Sequence, residues 1–169
     1  METKKRLILF KGKALNGKHV GDWVEGAYFN MHHEDERTHI HHFIIPENTP
    51  VPKDKKIGDI QVEVAAGSVC QFTGKRDRNG IRIFEGDLVK VIIPEYLSNT
   101  GFFLQSENQE YIGHVEWNDV SCRYEVLFEM KGSGICGTEF GWGATEFEVV
   151  GNMYDHSELL TTVRPKLFE

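Results

Sequence analysis

The chain has 169 residues, of which 40% are apolar and 27% charged, with a formal net charge of −7. This length suits one domain or two small lobes. The apolar share excludes wholesale disorder, and no run approaches the length of a membrane-spanning helix. The charge is uneven. Residues 1–80 carry 13 Lys and Arg against 11 Asp and Glu, and residues 81–169 carry 6 against 15, balances of +2 and −9. An acidic second half repels a phosphate backbone, which disfavours nucleic acid as the partner. The three cysteines, Cys70, Cys122 and Cys136, have no CxxC spacing and read as buried or free thiols in a reducing cytoplasm. Lys4-Lys5-Arg6 is followed by only four apolar residues before Lys11, too few for a signal peptide. A cytoplasmic protein with no membrane partner is therefore expected.

In chain order, residues 6–10 form a short apolar strand and Asn16-Gly17 marks a turn. Val20 to Phe29 reads as a longer strand, His32 to Arg37 as a hairpin tip, and Thr38 to Ile45 as the return strand. Pro46 to Lys56 has three prolines and several charges, so it is a loop or linker. Ile60, Val62 and Val64 alternate as a strand, and Val69 to Phe72 leads into the most informative stretch.

Gln71 to Val91 reads QFTGKRDRNGIRIFEGDLVKV. Asp77-Arg78-Asn79-Gly80 is a turn signal: Asp caps with its carboxylate, and Asn-Gly tolerates positive φ. Between apolar segments it predicts a hairpin with a bulged type I or a type I′ turn. Ile81 and Ile83 share one face of the strand that follows. Glu85-Gly86-Asp87 makes a corner, and Leu88 to Ile93 resumes a β-rich run that Pro94 ends. A Gly-Asp corner entering such a run resembles the entry into a strand of a small SH3-like barrel, a likeness of fold that assigns no function.

Beyond it, residues 95–109 read as a polar loop with Tyr96, Leu97, Phe102 and Phe103. Tyr111 to Trp117 and Arg123 to Met130 pair as a hairpin. Lys131 to Gly143 is a Gly-rich loop with room for a short strand. Phe147, Val149 and Val150 close the sheet, and residues 156–160 form one helical turn. The expected architecture is mainly β with little helix. Residues 1–64 form an N-terminal β lobe containing the 46–56 loop. Residues 65–169 form a C-terminal SH3-like barrel.

Gln71-Phe72-Thr73-Gly74, Asp77, Asn79-Gly80, Ile83 to Asp87 and Val89 together resemble the signature of the YopX family of bacteriophage and prophage proteins. Val149 to Asp155 and Glu158-Leu159-Leu160 are similar to the family's closing segment. Phe10 to Lys13 and Gly21 to Gly26 carry a weaker likeness. Lys75-Arg76 stands where the family often reads Leu-Lys, and Met31 to Lys56 and Glu95 to Glu110 have no clear counterpart. The resemblance implies a phage or prophage origin. It brings no catalytic residues, because the family has no established biochemical activity.

Each cluster of reactive side chains has a plainer alternative. His32-His33, His39 and His41-His42 lie within eleven residues, and His39 and His41 share a face if 38–45 is a strand. Glu34 or Asp35 could complete a metal shell, but no HExxH-like spacing supports one, and a polar hairpin is the favoured reading. Gly132 to Gly143 lacks the Walker pattern and reads as a loop. Glu85 and Asp87 read as turn carboxylates accepting from backbone N–H groups rather than an acid/base pair. Lys75, Arg76 and Arg78, with Lys53, Lys55 and Lys56, could contact phosphate, against solvated turn charge. Tyr124 and Trp142 could anchor a partner, while Trp117 reads as core.

No cofactor is expected. The favoured function is a non-enzymatic phage or prophage accessory protein that contacts a host or phage protein, with homo-oligomerisation open. The alternative is a nucleic-acid-binding module using the basic turn 75–78, and the third is a metal-dependent enzyme built on His39 and His41. Gly74, Asp77, Asn79, Gly80, Glu85, Gly86 and Asp87 are expected to serve the fold.

Overall fold

A computed structural model describes residues 7–32, 39–50, 53–93, 109–130, 134–140 and 146–162. Its strands are β1 Phe10–Lys13, β2 Trp23–His32, β3 Ile40–Pro46, β4 Val62–Glu63, β5 Cys70–Arg76, β6 Arg82–Phe84, β7 Asp87–Ile93, β8 Gln109–Asn118, β9 Arg123–Met130, β10 Gly134–Glu139 and β11 Glu146–Asn152. Among the described residues the only helical pieces are short 3-10 turns, such as Gly17–His19 and Ser157–Thr162. The fold is mainly β. None of the described helices is long and apolar enough to cross a membrane. The expected loop at 95–109 lies almost wholly outside the described residues.

The strands fall into two antiparallel sheets, ordered β4-β3-β2-β1-β5-β6 and β10-β9-β8-β7-β11. Each order has two distinct ends. The chain divides into two compact units, Met1–Gly74 and Lys75–Glu169. Phe10 pairs with Gln71 and Lys11 with Cys70, so the start of the central stretch is bonded to the first strand.

In the first unit, alternation along β2 and β3 sets the core. Tyr28 pairs with Ile44, and Ile44 with Val62. One face of these strands therefore buries Val24 and Ile44 against Ala14 and Val64, with Phe10 and Tyr28 packed beside them. The strand expected over Ile60, Val62 and Val64 is shorter than its alternation suggests. Ile60 ends the 3-10 turn Ile57–Asp59, where its N–H donates to the Ile57 carbonyl. Val64 makes only an isolated bridge to Ala14.

The second unit packs Val89 and Val91 of β7, Val115 of β8, Tyr124 and Val126 of β9 and Phe147 of β11 into one core with Ile83. Registers explain the choice, since Val115 pairs with Val126, Val91 with Phe147 and Trp117 with Tyr124. The opposite side of the same strands carries most of their charged side chains, together with Ile92, Ile112, Leu127, Ile135 and the fully buried Leu88. Gly134 to Glu139 of the Gly-rich segment forms β10, paired along its length with β9. β11 carries a bulge between Val149 and Gly151, which leaves Val150 38% exposed.

Candidate functional site

The central turn works as a clamp inside the second unit. Asp77 is buried, and its backbone N–H donates to the Ile81 carbonyl at 2.8 Å. One carboxylate oxygen accepts from the Asn79 and Ile81 amides, each at 2.8 Å. The other accepts from the Val149 amide at 3.0 Å, and the Arg78 amide donates to the Phe147 carbonyl at 3.0 Å. β11 ends its sheet, and such an edge exposes unpaired backbone groups. Here the turn fills part of that edge. Burial pushes the Asp77 carboxyl up, but the amides of Val149, Ile81 and Asn79 together outweigh it and hold the group below its ordinary value. A carboxylate surrounded by N–H donors in this way stays ionised and carries no proton to transfer.

The Glu85-Gly86-Asp87 corner is the second clamp. Asp87 is 1% exposed, and its carboxylate accepts from the Phe84 amide at 2.8 Å. Gly86 has φ +74°, donates to the Val115 carbonyl and accepts from the Met153 amide. Asn152 pairs with Asp87, and its side-chain oxygen accepts from the amides of Tyr154 and Asp155. The central stretch and the closing segment thus lock onto each other. Gly74 and Gly80 also have positive φ. The Asn152 cap is local, an Asx-type turn onto the next residues, whereas its pairing with Asp87, sixty-five residues earlier, has no local sequence signal.

Two of the three cations of the basic turn are engaged locally, and one of them is ion-paired. Arg76 donates to the Gly80 carbonyl at 2.6 Å. Arg78 pairs with Glu148 and lies 3.5 Å from Glu146. Tyr124 sits in the core, with its ring 5.0 Å from Trp117 in an edge-on arrangement. The exposed ring of the pair is Trp117, at 41%. The physical reason is position: Trp117 lies one residue from the end of β8, where the sheet no longer covers its ring. Trp142 lies outside the described residues.

The histidines divide by strand parity. His41 Nδ1 lies 2.7 Å from Glu63 Oε1, and the second Glu63 oxygen accepts from the Asn16 amide at 2.8 Å. His42, on the opposite face, meets the Tyr28 hydroxyl at 2.8 Å. The His39 ring packs edge-on to His41, 4.6 Å between centroids. His32 is exposed at the end of β2, while His33, Glu34 and Asp35 lie outside the described residues. No group of three or more His, Cys, Asp or Glu among the described residues could hold a metal. Burial pushes the Cys136 thiol up, away from the reactive thiolate.

The charged face of the second sheet is the most distinctive surface. Registers place Glu110, Glu116, Glu125, Glu129, Glu139, Glu146 and Glu148 on it, with Lys90 and Arg123 as its own cations. Lys90 pairs with Glu110 at 2.6 Å. Arg123 bridges Glu125 and Glu139 at 2.8 and 2.6 Å. The Arg123 guanidinium, helped by the Asn118 amide, holds the buried Glu125 carboxyl below its ordinary value. Glu116, Glu129 and Glu146 remain exposed or half-exposed. Their even spacings (Glu110 to Glu116, Glu125 to Glu129, Glu146 to Glu148) are the sequence signal that strand alternation turns into one face.

Compared with curated proteins, the sequence finds no match. A family model described as YopX protein matches residues 17–161. That span takes in the central turn, the corner at Gly86 and the closing segment that locks onto it, and on this match the chain belongs to the YopX family.

Proposed function

We propose that the protein is a non-enzymatic, protein-binding accessory of phage or prophage origin, acting in the bacterial cytoplasm. Its docking surface is the charged face of the second unit, and its partner presents basic side chains. The observation that carries this reading is the concentration of glutamates on one sheet face. The unit Lys75–Glu169 holds 9 Lys and Arg against 16 Asp and Glu, a balance of −7, while Met1–Gly74 holds 10 of each. A rigid acidic face steers and orients a basic partner, and it does so mainly through the association rate and through rejection of acidic competitors. The free cysteines, Cys70 among them buried, suit a reducing compartment. The corner at Gly86 and the five-stranded antiparallel order favour an SH3-like ancestry for the second unit.

Affinity capture from host cytoplasm, run in parallel with wild type and with a Glu116→Lys/Glu129→Lys variant, tests the proposal. A captured protein that is lost with the variant and with added salt is the expected result. Equal capture by both proteins, or recovery of nucleic acid alone, overturns it.

A further inference from the structure

A second site lies in the first unit, apart from the acidic face and argued independently of it. A cavity of about 490 Å³ opens among the 3-10 turn at Gly17–His19, the loop after β3 and the residues leading into β4. Its size falls within the range of small-molecule sites, roughly 300–1,000 Å³. Pro46, Pro50, Ile60 and Val62 supply apolar walls. Lys18 and Lys55 line it from two different loops. Both are exposed, and among the described residues neither ammonium has an ion-pair or hydrogen-bond partner. Among the described residues the one lining carboxylate, Asp59, is turned onto the Lys56 backbone amide, from which it accepts at 2.9 Å. Gln61 adds a neutral group able both to donate and to accept.

We propose that this cavity binds a small phosphorylated organic molecule of nucleotide size. Lys18 and Lys55 close on the phosphate, and the sugar or ring lies against the proline and isoleucine walls. Two lysines that line one cavity from different loops provide charge-assisted donors for an anion. The apolar walls distinguish an organic phosphate from the free ion, because only the former buries surface on them.

Amide chemical shifts of the full chain, titrated with AMP, ribose 5-phosphate and inorganic phosphate at low salt, test the proposal. AMP or ribose 5-phosphate should shift the amides of Lys18, Lys55 and Gln61 saturably, with inorganic phosphate at least tenfold weaker. A Lys18→Ala/Lys55→Ala variant should weaken organic-phosphate binding at least tenfold. Both side chains are exposed, so the fold should survive, and the spectrum of the unliganded variant checks it. In wild type alone, the affinity should fall with added salt. No saturable shift with either organic phosphate, equal binding of inorganic phosphate, or binding indifferent to the lysines and to salt overturns the inference.

Discussion

Asp77 binds three backbone amides with one side chain, and two of them are local while the third comes from β11. Hydrogen bonds to a charged group contribute more than neutral ones, so Asp77→Ala should cost about 2–4 kcal/mol in urea denaturation at neutral pH. The pH dependence follows from the direction of the shift. The folded carboxyl titrates below its ordinary value, so its stabilisation is complete above the unfolded value near 4 and is lost as pH falls through the lower, folded one. The stability gap between wild type and Asp77→Asn should therefore be widest near neutrality and should shrink on acidification. A gap constant down to pH 2 would contradict this. The two turn glycines separate by environment. Gly80 has φ +82°, and nothing lies within 4 Å of the place an alanine methyl would take, so Gly80→Ala should cost about 1 kcal/mol through strain alone. At Gly86 a methyl group would also meet the Met153 sulfur at 3.2 Å and the Tyr154 ring at 3.4 Å, so thermal unfolding should show a larger loss for Gly86→Ala.

Among the elements, β11 depends most on a segment outside its own sheet ladder. Its Val149 amide is closed by the Asp77 carboxylate and its Phe147 carbonyl by the Arg78 amide. Hydrogen exchange should thus find the Val149 amide slow in wild type. In Asp77→Ala it should speed up by more than the loss of global stability accounts for; an unchanged relative rate would remove the clamp. Much of this level is legible in the sequence. Alternation and turn residues place β2, β3, β8 and β9 within a few residues, because long amphipathic strands and Asn-Gly or Asn-Asp turns are local signals. Alternation overstates β4, since three alternating residues cannot show that a partner strand has already run out. The edge clamp at Asp77 is illegible in its longer half: the turn is local, whereas Val149 lies 72 residues away. The Glu63 link from His41 to Asn16 is hidden for the same reason.

Taken whole, the molecule divides its charge between a neutral unit and an acidic one. Duplex DNA titrated at about 150 mM salt should bind no tighter than the weak nonspecific range, about 10⁻⁴ M, because counterion release needs clustered, available cations. Arg76 and Arg78 already have local partners. Micromolar binding that disappears in a Lys75→Ala/Arg76→Ala/Arg78→Ala variant would show the turn to be a nucleic-acid site. Metal analysis after dialysis should find no equivalent of zinc that depends on His39 and His41, since no group of three or more His, Cys, Asp or Glu among the described residues could hold a metal. The division of function is less legible than the fold: even spacing hints at the glutamate face, but nothing in the sequence brings Lys18 and Lys55 to one cavity. The sheet order also sets how long a strand waits for its neighbour during synthesis. β7 is complete at Ile93, yet its neighbour β11 begins only at Glu146. At about 5–20 residues per second, a ribosome leaves that strand half-paired for several seconds. Nascent copies on one messenger therefore pass through a stage at which an apolar, β-rich segment can recruit the wrong strand, and their yield should depend on how crowded the message is with ribosomes.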